Sequence, residues 1–284
     1  ANQADEDSRQ ALQTAYESGI NHWDTADVYG NGKSEQIVGS MWEYIPRNEI
    51  FLATKVGWNK GQHRDWYHPK YMRFQMESSL ERLKTDCVDL LYLHHCNFGG
   101  QDERFDEAIE TVRRFQNEGK TKFIGLSDWD SYKIMKFIER CDPDVVQPYR
   151  NVWDDTYESS GLKNYIEENN LGVCFFSPLM HGLLTGKYSK PTAFEKGDFR
   201  ETINEFKNQT TIDKMRKNAD LLKKRFNSHP HPIMHGVIDT LLSDSKNSCV
   251  LLGQRNPEQA STAKSLGVSI SEEDVKWVKS LYKH

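Results

Sequence analysis

The sequence predicts an α/β fold of the (β/α)8 TIM barrel type, and three observations lead to that prediction. Short apolar runs alternate with amphipathic stretches from end to end, which is typical of strands alternating with helices. Most of these runs are continuously apolar, as expected for parallel strands buried on both faces. No G-x-G-x-x-G follows the first run, which disfavours an open, doubly wound sheet.

Seven strands are predicted from runs rich in Val, Ile, Leu and Phe. In chain order they are Ile20 to Asp24, Ile50 to Thr54, Val88 to Leu93, Phe123 to Leu126, Val145 to Gln147, Val173 to Phe176, and Cys249 to Leu252. A closed barrel of this kind needs eight strands. Because the sequence starts in a helical pattern, we expect the first barrel strand to be absent from it.

The helices between the strands are predicted from apolar residues spaced by three and four. The stripes are Ala11, Leu12, Ala15 and Tyr16; Met76, Leu80 and Leu83; Phe105, Ala108, Val112 and Phe115; and Leu162, Tyr165 and Ile166. Each stripe can cover one face of a sheet. A final helix, capped by Ser271 in SISEEDVKWVKSLY, is expected to cover the barrel. With no Pro- or Ser-rich linker, residues 1–284 are predicted to form a single domain.

Composition excludes several classes of protein. Lys and Arg number 37 against 42 Asp and Glu, and this net charge of −5 disfavours nucleic acid as the main partner. No apolar run approaches the roughly 20 residues of a membrane span, and no secretory signal is visible, so we expect a cytoplasmic protein without a membrane partner. The five cysteines are scattered and form no Cys-x-x-Cys pair, which predicts reduced thiols and no structural zinc site.

Four polar residues mark the ends of consecutive predicted strands. Asp24 ends the first and is followed by Tyr29, Lys55 follows the second, and His94 follows the third. Taken singly, Asp24 could cap the next segment, Tyr29 could be an edge aromatic, Lys55 a solvated strand end, and His94 a buried imidazole. The carboxyl ends of barrel strands meet at one mouth, however, so the set favours a shared catalytic role.

Five segments, in the expected order, resemble the aldo-keto reductase superfamily: NHWDTADVYGNGKSEQIVG, FLATKVG, CVDLLYLHH, FIGLSDW and FFSPLMHGLLTGKY. The sequence is most similar to the bacterial-type branch, which also includes potassium-channel beta subunits. The resemblance implies NADPH-dependent reduction of a small aldehyde or ketone, with Asp24, Tyr29, Lys55 and His94 as the catalytic tetrad.

The resemblance also implies a set of cofactor contacts. They are Ser127, Asp128 and Gln147 at the carboxamide; Phe176 stacking on the nicotinamide; Ser177, Leu179 and Gly182 near the pyrophosphate; and Gly253, Gln254, Arg255 and Gln259 at the adenosine end. Four positions depart from the family pattern. Asp128 replaces the usual Asn, Phe176 a common Tyr, Arg150 a frequent Tyr, and Ala263 an Asn that often contacts adenine.

The chemistry of the tetrad follows from its side chains. Carbonyl reduction needs a proton donor where negative charge develops on oxygen, and an unaided phenol is a weak acid at neutral pH. Lys55 can stabilise the phenolate of Tyr29, Asp24 can hold Lys55 charged, and His94 can orient the carbonyl oxygen. The hydride has to come from a cofactor, since no side chain supplies one.

Other residues have two readings each. Arg255 can pair with a ribose 2′-phosphate or be a solvated loop charge. Trp66 and Trp129 can line a substrate pocket or pack between loops. His231 and His235 have the spacing of zinc ligands, but the Glu of a zinc peptidase motif is missing and we expect no metal there. The charged stretch 194–214 is expected to cross the barrel rim.

Two other functions are compatible with the sequence. Lys55 could act as the Schiff-base nucleophile of a lyase, because lyases also place a lysine at a barrel strand end. The chain could also be a regulatory subunit that binds nucleotide with little turnover, since such a protein can retain the tetrad. We expect a monomer or a weak homo-oligomer.

Overall fold

The computed structural model describes residues 3–254 and 256–283, and its centre is a curled sheet of seven parallel strands. They are β1 (His22–Asp24), β2 (Phe51–Val56), β3 (Val88–Leu93), β4 (Thr121–Asp128), β5 (Val145–Pro148), β6 (Gly172–Phe175) and β7 (Ser248–Val250). Each strand pairs with the next along the chain. The predicted class and all seven predicted strands are confirmed.

Helices connect the strands and cover the outside of the sheet. They are α1 (Gln3–Glu17), α2 (Lys33–Ser40), α3 (Pro69–Leu83), α4 (Phe105–Asn117), α5 (Ser131–Cys141), α6 (Thr156–Ser159), α7 (Leu162–Glu168), α8 (Gln209–Arg225), α9 (Pro232–Met234), α10 (Thr240–Ser243), α11 (Pro257–Ala263) and α12 (Glu272–Tyr282). Short 3₁₀ helices are Met41–Glu43, Arg47–Glu49, Met180–Thr185, Phe199–Thr202 and Asn204–Lys207, and a π-helical turn spans His235–Asp239.

The order of the strands brings the predicted site residues to one end of the sheet. Asp24 is opposite Ala53, Lys55 is opposite Tyr92, and Ser127 is opposite Gln147. Lys55 lies within β2 and does not follow it, because β2 continues to Val56. Since all strands are parallel, their carboxyl ends lie together at this end of the sheet.

The sheet has two edges, β1 and β7, which do not pair with each other. Within the described residues no strand precedes β1, so the sheet contains seven of the eight strands of a closed barrel. Both edge strands are only three residues long.

The core forms where helices pack against the outer face of the sheet. All six residues of β3 are buried, as expected for a central parallel strand; the one charged residue among them, Asp89, forms ion pairs with Arg47 and Lys122. Helix α12 begins as predicted, because Ser271 Oγ accepts a hydrogen bond from the Asp274 amide at 3.1 Å. Its buried Val278 and Tyr282 join the core. None of the helices in the described part of the chain is both long and apolar enough to span a membrane.

Candidate active site

A cavity of about 870 Å³ opens at the carboxyl ends of the strands. Its wall includes Asp24, Tyr29, His94, Ser127, Trp129, Gln147, Phe176, Ser177, Gly253 and Gln254, which the sequence predicted as site residues. The cavity continues between the edges of β1 and β7, where residues of α1 and α11 also line it.

Lys55 is buried beneath the floor of the cavity and connects two tetrad residues. Its ammonium group forms an ion pair with Asp24, donates to the Thr25 carbonyl at 2.8 Å, and lies 3.4 Å from Tyr29 Oη. Burial acts to lower the pKa of Lys55, but the charges of Asp24 and Tyr29 outweigh it and raise the pKa. Lys55 is therefore charged at neutral pH, beside a phenol that is 43% exposed.

His94 faces the phenol from the end of β3. The rings of Tyr29 and His94 are edge to face with their centroids 5.8 Å apart, and Trp58 packs 5.0 Å from His94. Burial, followed by the charges of Lys55 and His95, holds the pKa of His94 well below its usual value. His94 is therefore neutral, and its Nδ1 has no hydrogen-bond partner among the described residues.

Gln147 links the tetrad to β4. Its side-chain amide donates to the second carboxylate oxygen of Asp24 at 2.9 Å, while Ser127 Oγ donates to the Gln147 backbone carbonyl at 2.9 Å. Asp24 thus accepts from both Lys55 and Gln147, which fixes its orientation. One connected network joins the proton-donating side of the cavity to the side predicted to hold the carboxamide.

An aromatic group forms the opposite wall, and part of it was not predicted. Trp129 contacts Phe176 edge to face at 4.7 Å and stacks on Phe199 at 5.4 Å, and His181 lies 5.1 Å from Phe199. Phe199 comes from the GDFR segment, so the expected crossing of the rim is confirmed for this residue. His181 and Phe199 were missed as individual site residues. His181 lies between the predicted Leu179 and Gly182 in the segment after β6, whereas Phe199 lies in a later 3₁₀ helix that does not directly follow a strand.

Several predicted residues do not form part of the cavity wall. Asp128 is buried and its two carboxylate oxygens accept from the backbone amides of Cys96 at 2.6 Å and Asp130 at 2.8 Å, so it stabilises the loops after β3 and β4. Trp66 donates to the Trp58 carbonyl at 3.0 Å, which favours packing between loops over a position in the substrate pocket.

The remaining predicted contacts are the pyrophosphate and adenosine residues. Leu179 packs against the core, and a Cβ on Gly182 would lie 3.0 Å from Lys187 Nζ. Gln259 lies in the first turn of α11, which is capped by Asn256. None of these three lines the cavity, so their cofactor contacts stay predictions, and Arg255 lies outside the described residues.

The cavity fits the chemistry of a nicotinamide nucleotide. An aromatic face, Phe176, and two groups able to hydrogen-bond an amide, Ser127 and Gln147, lie on one side. The other end reaches Gly253 after β7, where a Cβ would meet no atom within 4 Å, and so leaves room for a ligand to approach the backbone. Ser127, Gln147, Phe176 and Ser177 are the residues that would hold the nicotinamide half.

Comparison with known proteins matches the aldo/keto reductase family model to residues 1–283. The aldo-keto reductase yakc [NADP(+)] of Schizosaccharomyces pombe is 32% identical over 75% of this chain and 66% of its own. The aldo-keto reductase YhdN of Bacillus subtilis is 27% identical over 96% of this chain and 83% of its own.

The fold agrees with a solved structure as well. A glycerol dehydrogenase from Gluconobacter oxydans superposes with a TM-score of 0.84 and 28% identity, over 99% of this chain and 86% of that one. Related enzymes have (β/α)8 barrels, so the predicted architecture is confirmed.

Proposed function

We propose, from the premise that this chain belongs to the aldo/keto reductase family, that it is an NADPH-dependent oxidoreductase that reduces an aldehyde or ketone to an alcohol. The observation that carries the proposal is the contact of Lys55 Nζ with both Asp24 and Tyr29 at the floor of one cavity. The cofactor, when bound, supplies the hydride. The steps below belong to residues of this chain.

Tyr29 is the proton donor in this proposal. Its hydroxyl is exposed to the cavity, where a carbonyl oxygen can reach it. As the proton leaves, negative charge develops on the phenol oxygen 3.4 Å from the charged Lys55, which stabilises it. Asp24 keeps Lys55 charged in a buried place, and Gln147 keeps Asp24 in position.

His94 has a different role, which follows from its neutral state. A neutral imidazole offers one donor and one acceptor. Because its ring lies beside the Tyr29 ring at the cavity wall, His94 can donate to the same carbonyl oxygen and orient it without competing as an acid. Trp129 and Phe199 then enclose the substrate and exclude water from this side.

The geometry opposes the lyase alternative. A Schiff-base lysine has to be an uncharged amine to attack a carbonyl. Lys55 instead has a raised pKa, and its three close contacts to Asp24, Thr25 and Tyr29 occupy its donors. No observation favours a regulatory subunit without turnover.

The preference for NADPH rests on Arg255 and on a relative. A guanidinium after β7 can form a bidentate pair with a 2′-phosphate, and the name of the S. pombe relative gives NADP(+). We propose further that the protein acts in the cytoplasm as a monomer or weak homo-oligomer, with no nucleic acid or membrane partner.

The test is to titrate the purified protein with NADPH and NADH and then to measure cofactor consumption with a panel of aldehydes and ketones. Small hydroxylated carbonyl compounds belong on the panel, because a structural relative acts on glycerol. Saturable NADPH binding with substrate-dependent oxidation is expected. Binding without consumption of NADPH would favour a regulatory protein, and no binding would contradict the proposal.

A further inference from the structure

Three potential metal ligands meet one layer below the tetrad, from three different strands. Cys174 of β6 and Cys249 of β7 are register partners, and their Sγ atoms lie 3.0 Å apart. His22 of β1 places Nδ1 3.6 Å from Cys249 Sγ. His22 precedes Asp24 by two residues, so both side chains lie on the same face of β1.

The cluster is enclosed but reachable from the cavity. Cys174 is fully buried, Cys249 is half-buried, and His22 lines the cavity. The second ring nitrogen of His22, Nε2, is buried and has no hydrogen-bond partner within the described residues. Of the two ring nitrogens, Nδ1 is thus the one that contacts a sulfur, that of Cys249.

The three ligand atoms lie within 4.8 Å of one another, and two of their separations can be compared with those of a zinc site. Bonds of about 2.3 Å to sulfur and about 2.0–2.1 Å to nitrogen, at tetrahedral angles, place nitrogen and sulfur about 3.6 Å apart and two sulfurs about 3.8 Å apart. The His22–Cys249 separation already has the first value. The two sulfurs need to separate by roughly 0.8 Å, which a small rotation of the half-buried Cys249 side chain can supply.

We propose that His22, Cys174 and Cys249 bind one Zn²⁺ ion, with the fourth coordination position facing the cavity. Imidazole and thiolate are ligands that zinc prefers. On binding, the two thiols lose their protons to solvent, and two thiolates neutralise the charge of the ion. A neutral unit suits a buried place next to the Asp24–Lys55 ion pair, which is itself neutral. The site does not depend on the proposed reductase activity.

The test uses Co²⁺ as a spectroscopic substitute for zinc in the untagged, fully reduced protein. We expect thiolate-to-cobalt charge-transfer absorption that saturates at one equivalent and disappears when Zn²⁺ displaces the cobalt. Cys174→Ser, Cys249→Ser and His22→Gln should each weaken zinc binding by at least about a hundredfold, since loss of outer-shell partners alone costs up to about that factor. Cys141→Ser, which removes another buried thiol, should bind zinc like the wild type.

Two further measurements separate a lost site from a misfolded variant. Zinc should raise the midpoint of thermal unfolding of the wild type and of Cys141→Ser, and leave it unchanged in the other variants, provided that circular dichroism shows them folded. Absence of a thiolate band in the wild type, or its persistence in Cys249→Ser, would overturn the proposal. The proposal would also be overturned if protein unfolded without reductant contained only three titratable thiols. Two of the five cysteines, Cys174 and Cys249, would then form a disulfide.

Discussion

Asp27, in the loop between β1 and α2, gives a prediction whose size follows from the structure. One oxygen of its carboxyl group accepts from Gln75 Nε2 at 2.6 Å, and the other, Oδ1, is buried without a partner among the described residues. Burial raises the pKa of Asp27 from its ordinary 3.8 to about 6, and Glu35 adds to the rise. The folded protein thus holds this proton to a higher pH than the unfolded chain does.

The direction of the pH dependence of stability follows from the number of protons bound in the folded and unfolded states. Between pH 3.8 and about 6 the folded state binds more protons than the unfolded state, so stability falls as pH rises. At 1.36 kcal/mol per pKa unit, the free energy of unfolding has decreased by about 3 kcal/mol once the pH is well above 6. Asp27→Asn keeps the acceptor for Gln75 and carries no charge. It should therefore be more stable than the wild type by up to about 3 kcal/mol at pH 8, with little difference at pH 4.

Urea unfolding at pH 4, 6 and 8 measures this difference. Asp213→Asn, which removes an exposed carboxylate on α8, is the matched control and should change little. Asp27→Asn that is no more stable than the wild type at pH 8, or a stability difference that is the same at pH 4 and pH 8, would refute the reasoning.

Three other predictions concern catalysis and specificity. Lys55→Met should lower kcat/KM for carbonyl reduction by at least about a hundredfold. The double variant Lys55→Met, Asp24→Asn should recover the stability lost in Lys55→Met but not the activity, because it leaves no unpaired buried charge. A borohydride-trapped adduct on Lys55 of the wild type would instead establish the lyase mechanism. Arg255→Ala should weaken NADPH binding by roughly 1.5 to 3 kcal/mol and barely alter NADH binding, and high salt should likewise weaken NADPH binding more than NADH binding. Equal losses of affinity for the two cofactors in a fluorescence titration would exclude a contact between Arg255 and the 2′-phosphate. Phe199→Ala should raise KM for small carbonyl substrates by opening the aromatic wall. Phe74→Ala, which changes an exposed residue on α3, is the control and should leave KM unchanged. Equal KM values for the two variants would exclude this role of Phe199.

The fold and the centre of the site were predictable from the sequence because both depend on local patterns. Apolar runs gave the strands, and parallel strands place their carboxyl ends together. The closeness of Asp24 and Lys55 follows from that rule, whereas Tyr29 lies in the loop between β1 and α2, and its place beside Lys55 depends on the path of that loop. The exact end of β2 did not follow, because Lys55 pairs within the sheet although it is charged.

Contacts that depend on loops or on strand register could not be predicted in this way. Asp128 has the right position in the sequence for a carboxamide contact, but the amides of Cys96 and Asp130 occupy its oxygens. Cys174 and Cys249 are 75 residues apart, and only the register of β6 with β7 brings their sulfurs together. The predicted barrel makes these two strands neighbours, so their register was the missing information.

The central claim is that Tyr29 protonates the carbonyl oxygen while Lys55 stabilises the phenolate. The direct test compares Tyr29→Phe with the wild type for NADPH affinity and for single-turnover carbonyl reduction, with Tyr44→Phe, an exposed tyrosine elsewhere, as the control. We predict nearly unchanged affinity and a reduction rate lower by about a hundredfold or more, as expected on loss of a positioned acid. Reduction by Tyr29→Phe at a rate near that of the wild type would contradict the account.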